Sequence, residues 1–228
     1  MCLRFAAMRV ELDSRSAGRP WSAAQRAYDF VKERLLDGRY AGGTLLSENE
    51  LARQLDLSRT PVRQAFLQLE AEELLELYPR RGALVRPISP SEADDVLEAR
   101  LLIEEHCARR VAAQGVVVGS TLSEAIAAQE QALRSGGTGF APADRDFHRA
   151  IVAANRNPIL LRQYDSLRDR LQRIAATAVA RDPTRIAQFI AEHREIAAAI
   201  ERGDARAAAD LTAAHLRRAH ALARRPAA

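Results

Sequence analysis

The sequence of 228 residues predicts a mainly α-helical protein in two parts. The first is an N-terminal head of three helices closed by a β-hairpin. The second is an antiparallel all-α bundle. Three observations carry this. Apolar residues recur at helical spacing through nearly the whole chain. Strand-like runs are confined to about residues 74–88. Aromatic residues make up only 5% while alanine and leucine abound, a composition that leans helical.

The elements follow in order. Ala23, Ala27, Phe30, Val31 and Leu35 form one stripe of a first helix over 22–37, ended by Gly38 and the Gly42-Gly43 loop. Ser47 and Glu50 form an S-x-x-E capping box that opens a second helix over 48–55. Asp56 suits a tight turn, because Asp tolerates a left-handed backbone. Ser58 caps a third helix over 59–73, with Pro61 in its first turn. Two β runs follow, Leu74–Tyr78 and Ala83–Pro87, around a hairpin tip of Pro79, Arg80, Arg81 and Gly82. Ser89, Pro90 and Glu92 make a second capping box, where the domain boundary falls. Six helices are then expected near 90–113, 119–135, 141–155, 157–180, 183–202 and 204–224. The domain reading is a disordered tail over 1–20, a head over 21–88 and a bundle over 89–226, with Met8 a second candidate start.

Composition narrows the function. A share of 47% hydrophobic and 28% charged residues is that of a soluble globular chain. Cys2 and Cys107 have no CxxC spacing, which argues against a disulfide framework or a zinc–thiolate site and suits the cytoplasm. No apolar run approaches the ~20 residues of a membrane span, and the first residues lack the apolar core of a signal peptide. The net charge of +4, carried almost wholly by arginine, fits a polyanionic partner.

The head has the skeleton of a helix-turn-helix. Leu51, Ala52 and Leu55 on one helix face Val62, Ala65, Phe66 and Leu69 on the next, and the two alanines allow a close crossing. Ser58, Arg59, Thr60 and Arg63 cluster at the start of the second of these helices, the end that enters a major groove. Arg59 and Arg63 share a face, and either can fork onto the O6 and N7 edge of a guanine. Ser58, Thr60 and the free amides of the helix start suit phosphates. Arg80, Arg81 and Gly82 form a basic wing tip, where glycine permits close approach. Two helices with a solvated arginine face would be the plain alternative. The cap, the spacing and the basic hairpin together favour DNA binding.

The bundle carries a second polar set. Asp144 and His148 are four residues apart on the face continued by Ile151. His193 falls within the stripe of Phe189, Ile190, Ile196 and Ile200. His215 falls within that of Ala208, Leu211, Ala219 and Leu222. Singly, each is an ordinary core histidine. Together, three inward imidazoles and a carboxylate are costly to bury without a shared partner, and a divalent ion such as Zn, Ni, Mn or Fe resolves that cost. His106 and His220 lack such placement and read as surface or packing residues.

The segment LSENELARQLDLSRTPVRQAFLQLEAEELLELYPRRGALV resembles the winged helix-turn-helix of the GntR family of bacterial regulators, over residues 22–88. The resemblance implies that Arg59, Arg63 and Gly82 stand at operator-contacting positions. Asp56 stands where the family often has Gly. Glu48 and Asn49 open the second helix where some relatives place Arg. The segments EARLLIEEHCARRVAA, ADRDFHRAIVAANRNP, EHREIAAAIERGDARAA and TAAHLRRA resemble the FCD ligand-binding domain of the FadR subfamily, over 90–224. Six bundle helices rather than seven would point to the VanR-like branch. The resemblance implies that Asp144, His148, His193 and His215 hold a divalent metal (Zn, Ni or Mn) whose coordination a carboxylate effector completes. It also makes Arg100 a partner of that carboxylate. An ion pair with Glu104 is the equal alternative for Arg100. The completeness of the metal pattern points away from acyl-CoA. Lactate, glycolate, sugar acids and dicarboxylates all suit such a pocket.

The expected function is therefore an effector-controlled, DNA-binding repressor. It would act as a homodimer on a near-palindromic operator, with no membrane association. A regulator answering to the metal alone and a metal-dependent hydrolase are the alternatives. The hydrolase is the weaker of the two, because no general base stands apart from the ligands.

Overall fold

The computed structural model describes residues 22–224. The tail expected over 1–20 lies outside them. In the head, α1 (Ala23–Leu36) starts at Ser22, whose Oγ accepts from the Gln25 amide. The box at Ser47 forms: its Oγ accepts from the Glu50 amide and opens α2 (Glu48–Leu55). Asp56 closes α2 in the left-handed conformation, φ 52°. Helix α3 (Arg59–Ala71) follows, then β2 (Leu75–Tyr78) and β3 (Gly82–Val85). Val31, Val62, Phe66, Leu69, Leu75 and Val85 are at most 1% exposed and form the centre of the head's core. Each such side chain contributes about 1.5–3 kcal/mol by leaving water.

Three details of the head differ from expectation. The sheet has three strands, in the order β1-β3-β2, because Leu45–Leu46 (β1) pairs antiparallel with β3. Two residues are too few to show a period-two pattern, so the pairing partner, not the local sequence, creates β1. Gly82 belongs to β3 rather than to the tip. Ser58 occupies the cap position of α3 without making a side-chain cap bond, and its hydroxyl stays at the exposed surface.

In the bundle, Ser89 Oγ accepts from the Glu92 amide at the start of α4 (Pro90–Arg100). A π-helical turn (Leu101–Glu105) joins α4 to α5 (His106–Ala113). Then come α6 (Gly119–Arg134), α7 (Phe140–Ala154), α8 (Pro158–Ser166), α9 (Arg168–Arg181), a 3₁₀ turn (Pro183–Arg185), α10 (Ile186–Glu201) and α11 (Ala205–Ala223). Counting α4 to α5 as one continuous helical segment, the described residues hold seven bundle helices rather than six. The helix expected over 157–180 divides at Leu167. There Ser166 Oγ bonds back to the Gln163 carbonyl at 2.6 Å, and the Leu167 amide reaches only three residues back to Tyr164. The six-helix ground for a VanR-like placement is thereby removed. The bundle has its own apolar cluster, around Cys107, Val111, Leu122, Phe147, Ile151 and Ile196.

Candidate metal centre and nucleic-acid interface

The four residues singled out in the bundle meet in one place. Asp144 and His148 come from one face of α7, His193 from α10 and His215 from α11. Each offers one ligand atom, and these atoms lie within 4.8 Å of one another. The three imidazoles are at most 1% exposed. His193 Nε2 lies 3.1 Å from His215 Nε2 and 3.6 Å from Asp144 Oδ1, and His148 Nε2 lies 3.8 Å from that same oxygen. Phe147 stacks on His193 with ring centroids 4.2 Å apart, and Phe189 meets His215 edge-on.

The opposite ring nitrogens face outward onto acceptors. His193 Nδ1 is 2.7 Å from Gln129 Oε1, and His215 Nδ1 is 2.7 Å from Glu192 Oε2. His148 Nδ1 lies 2.7 Å from Glu104 Oε2 without a hydrogen-bonding angle, so both nitrogens of His148 lack an aligned partner. On His193 and His215, a protonated Nδ1 donating to its acceptor leaves the Nε2 lone pair pointing inward. Two such lone pairs 3.1 Å apart repel, and a cation between them removes the repulsion. The donor set of three imidazole nitrogens and one carboxylate suits Zn, Ni or Mn and leaves coordination positions for another ligand. The residues present therefore fit a divalent ion.

The electrostatics agree. Burial, reinforced by the neighbouring His215 and His148, pushes the His193 pKa well below the usual imidazole value. Burial also lowers that of His215, against the pull of Glu192. Both rings are neutral and ligand-ready at pH 7. Although burial opposes its charge, Arg100 and His148 hold Glu104 down at about 2. Burial likewise opposes the charge of Glu192, which His215 and Arg218 keep ionised.

Arg100, the residue matched to the effector, is buried and bonds through Nε to Glu104 Oε1 at 2.6 Å. The ion pair held open by the sequence is thus formed. Reading the sequence missed Glu104, Gln129 and Glu192 as supports, and Tyr164, whose hydroxyl is buried without a partner. Only Glu104 had a local signal, its spacing from Arg100. The other three meet the centre through helix packing that no spacing reveals.

In the head, Ser58, Arg59, Thr60, Arg63, Arg80 and Arg81 are all exposed. Arg59, Arg63, Arg80, Arg81 and Gly82 line one cleft of about 290 Å³ between the start of α3 and the wing. Glu48 shares that cleft, and its Oε2 accepts from Arg59 Nη2 at 3.2 Å. Four guanidiniums in one groove suit a nucleic-acid backbone and base edges. His106 is exposed, and His220 pairs with Asp94 at 2.8 Å, both apart from the three-histidine cluster.

Residues 95–218 match the FCD domain and residues 23–85 match the bacterial regulatory proteins of the gntR family. A curated relative from Paenarthrobacter nicotinovorans, described as a probable D-xylose utilization operon transcriptional repressor, is 30% identical over 184 residues, covering 80% of each chain. The Uxu operon transcriptional regulator of Escherichia coli is 29% identical over 212 residues, covering 82% of each. A solved GntR transcriptional regulator structure from Rhodococcus sp. RHA1 superposes with a TM-score of 0.72 at 23% identity, covering 89% of this chain and 97% of the other. These relatives are transcription factors, not enzymes, so the hydrolase alternative is set aside.

Proposed function

Starting from the fact that this chain belongs to the GntR family and carries an FCD domain, we propose how its regulation works. The protein is a transcriptional regulator of the repressor type. In our reading, residues 21–88 form the operator-binding head and residues 89–226 the sensor. A divalent ion, Zn, Ni or Mn, is held by Asp144, His148, His193 and His215. Bound there, it supplies a Lewis-acid site for the carboxylate of a small organic acid. Arg100 offers a planar, permanently charged fork to the same carboxylate. The observation that carries this reading is the convergence of four ligand atoms within 4.8 Å, with the three imidazoles buried and supported from outside.

On the DNA side, Arg59 and Arg63 read base edges, while Ser58, Thr60 and the amides at the start of α3 take phosphates. Arg80 and Arg81 follow the neighbouring groove, with Gly82 holding the wing close. The active form is a homodimer that presents two such heads to a near-palindromic site. The effector shifts the balance between DNA-binding and released arrangements of the heads.

Elemental analysis of the purified protein, beside His148→Ala and His193→Ala, tests the sensor. About one divalent ion per chain, lost in both variants, is expected. Gel-shift titration on the promoter of the protein's own gene neighbourhood, with and without hydroxy acids and sugar acids, tests the output. A specific complex altered by one acid class in the metal-loaded protein is expected. Retained metal with no response to any acid, and loss of the DNA complex on chelation alone, would favour the metal itself as the signal.

A further inference from the structure

Among the described residues, Glu104 is the side chain that contacts both Arg100 and His148. Its Oε1 accepts from Arg100 Nε at 2.6 Å, and its Oε2 lies 2.7 Å from His148 Nδ1. It is 1% exposed, in a bundle core where a carboxylate is rare unless paired. The backbone around it departs from a regular helix: Leu101–Glu105 form a π turn between α4 and α5. Such turns are rare, and they recur at functional sites. Here the turn packs against α11, which carries His215, and against α7, which carries His148.

Gln129 and Glu192 stand behind the other two imidazoles at the same 2.7 Å, with the hydrogen-bonding alignment that the Glu104–His148 contact lacks. The three supports differ in what stands behind them. Glu192 is backed by the half-exposed Arg218, at 2.8 Å, and Gln129 NH₂ by the Ala143 carbonyl, at 3.3 Å. Glu104 alone is backed by a buried arginine.

We propose that Glu104 is the positioning residue of the centre, its Oε2 orienting His148 while the carboxylate grips Arg100, closely through Oε1 and at 3.5 Å through Oε2. This rests on the reading of Asp144, His148, His193 and His215 as a metal site. A small turn of the neutral His148 ring would align its Nδ1 hydrogen on Glu104 Oε2, 2.7 Å away, and leave Nε2 for the ion. Arg100 keeps Nε and Nη2 on Glu104, which leaves Nη1 as the donor without a hydrogen bond among the described residues. Arg100 and the metal are thereby coupled, though they do not touch.

The test uses full-length protein and zinc alone as the probe. Competition against a chromophoric chelator should give about 10- to 100-fold weaker zinc binding in Glu104→Gln. Cobalt-substituted protein should show an altered visible spectrum in the same variant. Arg100→Met should change zinc affinity about threefold or more with Glu104 present, and not in the Glu104→Gln background. Equal effects of Arg100→Met in both backgrounds would overturn the proposal, as would wild-type zinc affinity in Glu104→Gln. A readout without variants covers a folding defect. In ¹⁵N-histidine-labelled wild-type protein free of metal, His148 should carry its hydrogen on Nδ1, and a hydrogen on Nε2 overturns the assignment. If the wild-type protein takes up no zinc while His148 shows the Nδ1 tautomer, the metal reading fails and the orientation by Glu104 stands.

Discussion

At the scale of single residues, two buried histidines, His193 and His215, make the protein sensitive to acid. The pKa values of His193 and His215 are lowered in the fold, chiefly by burial. In the unfolded chain they return to about 6.5. Above that pH they are neutral in both states and cost nothing. As the pH falls below ~6.5, the unfolded chain takes up protons that the folded one refuses, so stability drops by about 1.4 kcal/mol per pH unit for each ring. Glu104 and Glu192 act lower on the scale. Their folded pKa values are depressed, so their contribution is present above the ordinary carboxylate value and is lost as the pH falls through the folded one, about 2 for Glu104. Metal-free protein is therefore expected to melt at progressively lower temperature from pH 7 to pH 5, with a slope near 2.7 kcal/mol per pH unit at its steepest. A melting temperature that stays flat over that range would contradict neutral, buried rings. Cys107 takes no part: burial pushes its thiol up to about 11, which leaves it inert at neutral pH.

At the scale of elements, the wing depends on one glycine. Gly82 opens β3 with φ +109°, and a Cβ there would run into the backbone carbonyl of Leu46 on β1. Neither atom can yield without breaking the strand pairing. Gly82→Ala is expected to cost about 2 kcal/mol or more, by positive-φ strain plus the lost β1–β3 contact. It should also weaken operator binding by displacing Arg80 and Arg81. Thermal melting together with gel-shift titration checks this, and unchanged values in both would show that the wing closes without glycine. Most elements were legible before any fold was in view. The capping boxes at Ser47 and Ser89 form as their spacing requires, and Asp56 adopts the left-handed turn suited to its short polar side chain. Strand β1 and the π turn were not legible, because each exists through a partner distant in sequence. The break at Leu167 was hidden as well, since a serine bonding back to its own helix leaves the apolar period intact.

At the scale of the whole molecule, the head and bundle meet along α9 in a seam of charges. Lys32 on α1 reaches Glu72 at 2.7 Å within the head and Asp169 on α9 at 2.9 Å across the seam. Partial burial works against its charge, but bonds to Glu72, Tyr28 and Asp169 hold its pKa above the usual lysine value. Arg170 binds Glu92 and Glu73, Arg173 donates to the Arg86 carbonyl, and Gly38 packs on Ala176. An ionic seam is weakened by salt more than an apolar one. Lys32→Met takes the cation from between Glu72 and Asp169 and leaves Glu72 only the Tyr28 hydroxyl. It is expected to loosen the seam by about 1–2 kcal/mol and to speed proteolysis near residues 86–89. Cleavage no faster than in the unaltered protein would mean that the other contacts carry the seam alone.

Local sequence by itself determined the helical periods, the caps, the basic start of α3 and the inward placement of Asp144, His148, His193 and His215. Each of these depends on residues within one or two turns of one another. Family membership was legible for the same reason, since its motifs are short and continuous. Tertiary structure alone decided that four candidate ligand residues from three helices meet at one place. It alone also placed Glu104, Gln129 and Glu192 behind the imidazoles and tied Arg100 to Glu104 inside the core. Those are contacts between elements, set by how apolar faces pack and by the need of every buried polar group for a partner. A periodic pattern tells which face turns inward, and only packing tells what that face will meet.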